Sequence, residues 1–250
     1  MLRTRSPAAV PRTAIAAALV LAVTAGPGAA QDISISLGGD GGLSARAIQL
    51  FVLLTLLSLV PGLAVMITCF PFMVTVLAIL RQGLGLQQSP PNMLIVSLAL
   101  FLSYFVMEPV LTEAWTTGVQ PLIDGTIPAD EAFQRTMQPF RVFMSGRVDP
   151  RAMAALGDLR PATRGVTAGE APLSLLIPSF LLSEVERAFQ VGFLIFLPFL
   201  IIDLVVAAVL MSMGMMMVPP AIVSLPFKLA FFVVADGWSL VSGALVRSYF

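Results

Sequence analysis

Six ionisable side chains stand inside the most apolar stretch of this chain: Glu184, Glu186, Arg187, Asp203, Lys228 and Asp236, all within residues 184–238. Charges in apolar surroundings are costly and are kept where they pair or perform a task, so acid–base pairing, ion passage or a proton relay is the chemistry these types allow. Glu184 and Arg187 are three residues apart and would share a helix face, where they can pair or open an ordinary interfacial helix. Suppose residues 184–238 form a helical hairpin turning near Met215-Met216. Asp203 and Lys228 then both lie about 19 Å from the turn at the helical rise, at equal depth on facing helices. A pair of that kind is plausible as a register pin; the alternative is that each points separately to water or to a subunit interface. Between them runs a second unusual feature, Met211, Met213, Met215, Met216 and Met217, which holds five of the 13 methionines. Methionine is flexible and polarizable and adapts to irregular partners. Such a run either fills a core or forms a soft apolar constriction that closes a pore.

Other chemistry is excluded by composition. The chain contains no histidine, and Cys69 is its only cysteine. A histidine-activated nucleophile is therefore impossible, as are an internal disulfide and a Cys/His metal site. No GxxxxGK[ST] phosphate loop occurs, and Gly83-Leu84-Gly85 is only a fragment of a dinucleotide fingerprint. No cofactor and no metal is expected. A formal net charge of zero gives no case for nucleic-acid binding. Of the 250 residues, 58% are hydrophobic and 11% charged; soluble domains are about a quarter charged, so this is an integral membrane protein or a subunit buried in an assembly.

The elements that must position these residues follow from hydropathy. Residues 1–30 have the form of a signal peptide. Arg3, Arg5 and Arg12 precede a short apolar core from Ala14 to Ala25, and small residues end at Ala30, where cleavage is expected. Residues 31–46 read as a flexible lead-in. Residues 47–112 form an apolar helical region, uncharged from Ala47 to Leu80, with Pro61-Gly62 and Pro71 marking either one broken helix or two packed ones. A polar turn at 81–92 ends in Pro90-Pro91, a suitable start for a helix from about Met93 to Leu111. Residues 113–172 hold six Arg and seven acidic residues and read as a water-exposed insert, partly helical at best. Residues 173–250 form the C-terminal hairpin with its methionine-rich loop. Phe70, Phe72, Phe101, Phe105, Phe231 and Phe232 are expected to pack cores; Trp115 and Trp238 are candidate interface anchors. The fold class is all-α, with about four transmembrane helices by hydropathy. An exported N-terminus would place the 81–92 turn on the cytoplasmic side of a bacterial inner membrane, and the insert and C-terminus outside it.

The stretch GFLIFLPFLIIDLVVAAVLMSMGMMMVPPAIVSLPFKLAFFVVADGW resembles the C-terminal signature of the FliP family of flagellar export-gate proteins. LRQGLGLQQSPPNMLIVSLALFLSYFVMEPV resembles a second signature and QPFRVFM at 138–144 a third, and the likeness spans about residues 47–250. The resemblance implies a non-enzymatic subunit of the flagellar basal body. In that family about five copies join FliQ-like and FliR-like subunits in a closed assembly around a channel. Unfolded flagellar substrates pass through the channel, driven by energy supplied elsewhere, and the export apparatus is the implied partner. It implies that the methionine loop is a gasket around the pore, and that the six charges are buried contacts between subunits, lifted away from lipid. The SctR-like gates of injectisomes share the core. An ion-coupled multispan transporter using Asp203 and Lys228 is the remaining alternative. One departure stands out: many members carry Thr-Ser-Phe-x-Arg where this chain has Thr68-Cys69-Phe70-Pro71-Phe72, so no polar role of that Arg carries over to Phe72.

Overall fold

The structure, a computed structural model, describes residues 43–86, 89–215 and 217–250. The expected signal peptide, most of the lead-in, and Met216 lie outside the described residues. Two compact units are present, Met1–Phe51 and Val52–Phe250. The described part of the first is the opening of one helix; the buried core belongs to the second. No strand occurs among the described residues, and the fold is all-α.

Helix α1 (Leu43–Met66) begins inside the expected lead-in and runs through Pro61-Gly62 without interruption. The break falls instead at Ile67–Cys69, where the chain bends by 65° into α2 (Phe70–Gly83). Pro71 stands in the first turn of α2, where its missing N–H is no loss and its fixed φ suits helix entry. α2 is the central helix. Phe72, Met73, Val76, Leu77 and Leu80 are each wholly buried, and their spacing covers one continuous side of the helix. α2 packs chiefly on α3 (Asn92–Ala114) and α7 (Leu173–Ser212).

α3 continues through a single π turn (Trp115–Val119) into α4 (Gln120–Ile123). The Thr116 and Thr117 hydroxyls donate to the carbonyls of Thr112 and Glu113 at 3.0 and 2.7 Å, which satisfies acceptors at the irregular turn. The bulge presents Gly118 to the next helix, α5 (Ala129–Arg147), so closely that a Cβ would stand 2.6 Å from the backbone nitrogen of Thr136.

The expectation that residues 113–172 are partly helical at best is corrected: most of the segment is helical. Besides α5 it contains α6 (Pro150–Gly157) and a 3₁₀ turn at Pro161–Thr163. Phe140, Met144 and Met153 are buried in the common core. The many charges lie on the outer faces, which gives the segment a polar composition despite its ordered inner side. Asp149 caps α6 by accepting from Arg151 N at 2.7 Å, and its own N–H donates to Ser183 of α7 at 2.8 Å.

α7 is 40 residues long, about 60 Å at the helical rise, and contains both Pro178 and Pro198. It is followed by α8 (Pro220–Val234), a 62° bend, and α9 (Gly237–Arg247). The expected hairpin therefore has a third limb. Among the described residues, two helices are individually long and apolar enough to cross a membrane, or up to four segments if each bent pair is one span. Phe72 and Phe232 are buried as expected. Phe101, Phe105 and Phe231 are not: they face outward, with much of α1, α3 and α7. The reason is that this chain has more apolar helix face than a single copy can cover.

Candidate functional site

Two polar clusters organise the molecule, and the methionine loop stands beside one of them. The first joins three helices at the C-terminal end of α2. Lys228, buried on α8, donates to Asp203 Oδ2 of α7 at 2.6 Å and to the Gly83 carbonyl at the end of α2 at 3.1 Å. Ser224, one turn before Lys228, donates to the other Asp203 oxygen at 2.6 Å. Asp203 keeps 40% of its side chain exposed, while Lys228 keeps 7%. The amine is thus the group that most needs its partners. It also supplies positive charge and a donor where α2 leaves a carbonyl without an intrahelical partner.

Ten residues beyond Asp203, α7 ends in a tight cap. Gly214 adopts φ +73°; its N–H donates to Met211 O at 3.1 Å, and the Met215 N–H reaches back to Leu210 O at 2.9 Å. This paired pattern closes a helix with a left-handed residue just past its end. Residues 213–215 and 217–219 belong to the turn of the hairpin before α8 begins at Pro220. Met211, Met213, Met215 and Met217 are all exposed, Met217 almost completely at 97%. An entirely apolar groove of about 550 Å³ runs under the loop, with Val205, Val209, Leu210, Met213, Met215 and Phe227 among its lining residues. Exposed, unbranched side chains on a short turn make a deformable apolar surface.

The second cluster centres on Glu184, which is fully buried on α7. Arg147, the last residue of α5, donates to its Oε1 from Nε at 3.2 Å. Arg187 approaches the same oxygen at 3.9 Å, one turn along the helix, and the Tyr249 hydroxyl donates to Oε2. Burial, and then the facing Glu184 carboxylate, push the Tyr249 phenol well above its ordinary value, so the hydroxyl keeps its proton and stays a donor.

Of the six charges expected to be buried, the structure buries Glu184 and Lys228 and half-buries Arg187 and Asp203. Glu186 and Asp236 are exposed in the single chain. Glu186 is two positions from Glu184 and so points to the far side of α7, where Gln190 donates to it at 3.2 Å. Asp236 occupies the α8–α9 bend with φ 49° and ψ 48°, a left-handed conformation that Asp tolerates better than most residues. The Asp236-Gly237 dipeptide was the turn signal for that bend. Arg147 and Tyr249 were missed. They meet Glu184 across 37 and 65 residues of sequence, and no local spacing points to either. Phe72, at the departure noted above, is wholly buried and meets the Tyr249 ring edge-on at 5.6 Å.

Comparison with known proteins gives a match to the FliP family model over residues 53–245. The flagellar biosynthetic protein FliP of Caulobacter vibrioides is 48% identical over 94% of this chain and 89% of its own length. That of Agrobacterium fabrum is 46% identical over 84% of this chain and 86% of its own. The FliP of Bacillus subtilis is 41% identical over 87% of this chain and 98% of its own.

Proposed function

Because the chain belongs to the FliP family of flagellar biosynthetic proteins, we propose that it is a core subunit of the flagellar type III export gate. Several copies, together with FliQ-like and FliR-like subunits, would enclose a channel for unfolded flagellar substrates. The single observation that carries the reading is the pinned methionine turn. Met213, Met215 and Met217 stand exposed on the turn and Met211 on the last turn of α7 beside it, and the two helices that bear the turn are fastened to each other and to α2 by Asp203, Ser224 and Lys228. A seal needs a soft rim on a firm base. The rim seals by dewetting an apolar constriction and deforms around a passing chain because methionine repacks at low cost.

The exposed faces of α1, α3 and α7 support assembly into a larger body. Only 11% of the most apolar window of α7 is buried within the chain, and a soluble monomer does not leave so large an apolar surface bare. The insert and the C-terminal segment meet around Arg147, while the 81–92 turn and the methionine loop flank the Lys228 cluster at the opposite end of the helices. That arrangement supports an insert and C-terminus on the same side of the membrane, the periplasmic side if the expected signal peptide exports the N-terminus. Asp203 has partners on both oxygens and Lys228 has two acceptors, which favours a structural pin over an ion relay.

The decisive experiment replaces Met213, Met215, Met216 and Met217 together with alanine in a strain that assembles the gate. Small-solute leak across the inner membrane should rise while the assembled gate is still recovered. Unchanged permeability in an assembled variant removes the gasket role.

A further inference from the structure

The residues after α9 do more than end the helix. Arg147 donates from Nη1 to the Ser248 carbonyl at 2.8 Å, and its guanidinium carbon lies 3.9 Å from the centroid of the Tyr249 ring. The Tyr249 hydroxyl donates to Glu184. The same ring stacks on Phe143 of α5 at 6.1 Å and 15°, and meets Phe72 of α2 edge-on at 5.6 Å and 77°. Ser248 and Tyr249 thus touch three elements: α5 of the insert, α7 and α2. Both lie beyond the residues matched by the family model.

We propose that Ser248 and Tyr249 form a latch that holds α5 of the insert closed against α7 and α2, and that releasing it opens the core locally. Two properties make it releasable. Ser248 is exposed and Tyr249 only half-buried, so the segment is bound from one side and can peel away into solvent. The cluster it closes is also incompletely satisfied: Arg147 Nη2 is buried with no hydrogen-bond partner among the described residues. An unpaired buried donor is costly in a low-dielectric interior, so the closed arrangement is less favourable than a fully paired one would be. Once Tyr249 leaves, Glu184 loses a donor and the guanidinium loses its aromatic cover, and both drive toward water. The latch stands whether or not the methionine loop seals a pore.

Cys69 reports on this opening without any added probe. It is the only cysteine, it is wholly buried, and it lies within electrostatic reach of Glu184, Arg147 and Tyr249. The test is the rate of maleimide alkylation of Cys69 in the full chain, in native membranes. Tyr249→Phe removes only the hydroxyl and keeps the ring packing, and should speed alkylation about tenfold, since it takes a hydrogen bond from a buried carboxylate. Tyr249→Ala should speed it further, while Phe250→Ala, a change at an exposed neighbour, leaves it unchanged. A second reporter, Leu84→Cys in a Cys69→Ala background, sits buried beside Gly83 at the other cluster and should stay protected when Tyr249 is changed. Wild-type alkylation of Cys69 in Tyr249→Phe overturns the latch. So does equal acceleration at both reporters, which would mean global unfolding. If Tyr249→Ala does not accumulate, the Tyr249→Phe comparison alone decides.

Discussion

Asp203 and Lys228 differ in what each loses without the other. Asp203 is partly solvated, whereas the Lys228 amine is buried with Asp203 and the Gly83 carbonyl as its acceptors among the described residues. Asp203→Ala should therefore cost about 3 kcal/mol, because it strands a buried cation, and Lys228→Ala only about 1 kcal/mol, the loss of hydrogen bonds to a group that water can still reach. The double variant should fall near Lys228→Ala, giving a coupling energy of about 3 kcal/mol in thermal or denaturant unfolding. Additive losses would show that the pair does not act as a unit. This pair was legible in the sequence because helical rise and a hairpin turn fix depth from residue number alone. The Glu184 cluster was legible only in its Arg187 member, one turn away. Its stronger partners arrive through tertiary packing of α5 and of the C-terminal segment. The same packing gives Phe72 a place: an apolar ring at a position where the family resemblance suggests Arg faces Tyr249 and carries no third positive charge into a site that already holds Arg147 and Arg187.

Helix ends are where local sequence speaks most directly. Pro71, Pro150, Pro172, Pro219 and Pro220 all stand at or just before helix starts, as the missing N–H requires. Internal prolines were less informative. Pro109, Pro139, Pro178, Pro198 and Pro226 lie within helices, because neighbouring helices hold the chain straight enough to continue. The insert was misread for a different reason: its polar outer faces dominate its composition, while a few inward residues carry its packing. Two glycines test the elements. Gly214→Ala places a Cβ at a left-handed position and should cost about 1 kcal/mol; the closing bonds to Leu210 and Met211 should loosen, with faster amide exchange at Gly214 and Met215. Gly118→Ala is harsher, because the Cβ would meet backbone at Thr136 that cannot rotate away. It should cost about 3 kcal/mol and accelerate proteolysis of the insert between α5 and α7. Resistance equal to wild type would mean that the π turn and α5 have room to separate.

As a whole, the molecule is a set of helices with more apolar surface than it can bury, and its hydropathy alone points to that excess. What hydropathy does not reveal is which outward faces meet lipid and which meet other subunits, since both ask for the same side chains. Loss of the chain should abolish filament growth and swimming, and the wild-type gene should restore both; a deletion strain that swims normally would remove the flagellar role. The 40-residue span of α7 has one mechanical consequence. Pro198 interrupts its hydrogen-bond ladder about 22 Å before Met213, so the segment beyond it is an arm that carries the turn. Pivoting that arm by about 10° sweeps its tip through about 4 Å, one carbon–carbon contact distance. A small angular strain at a single proline therefore suffices to bring a layer of methionine side chains into contact or to part it.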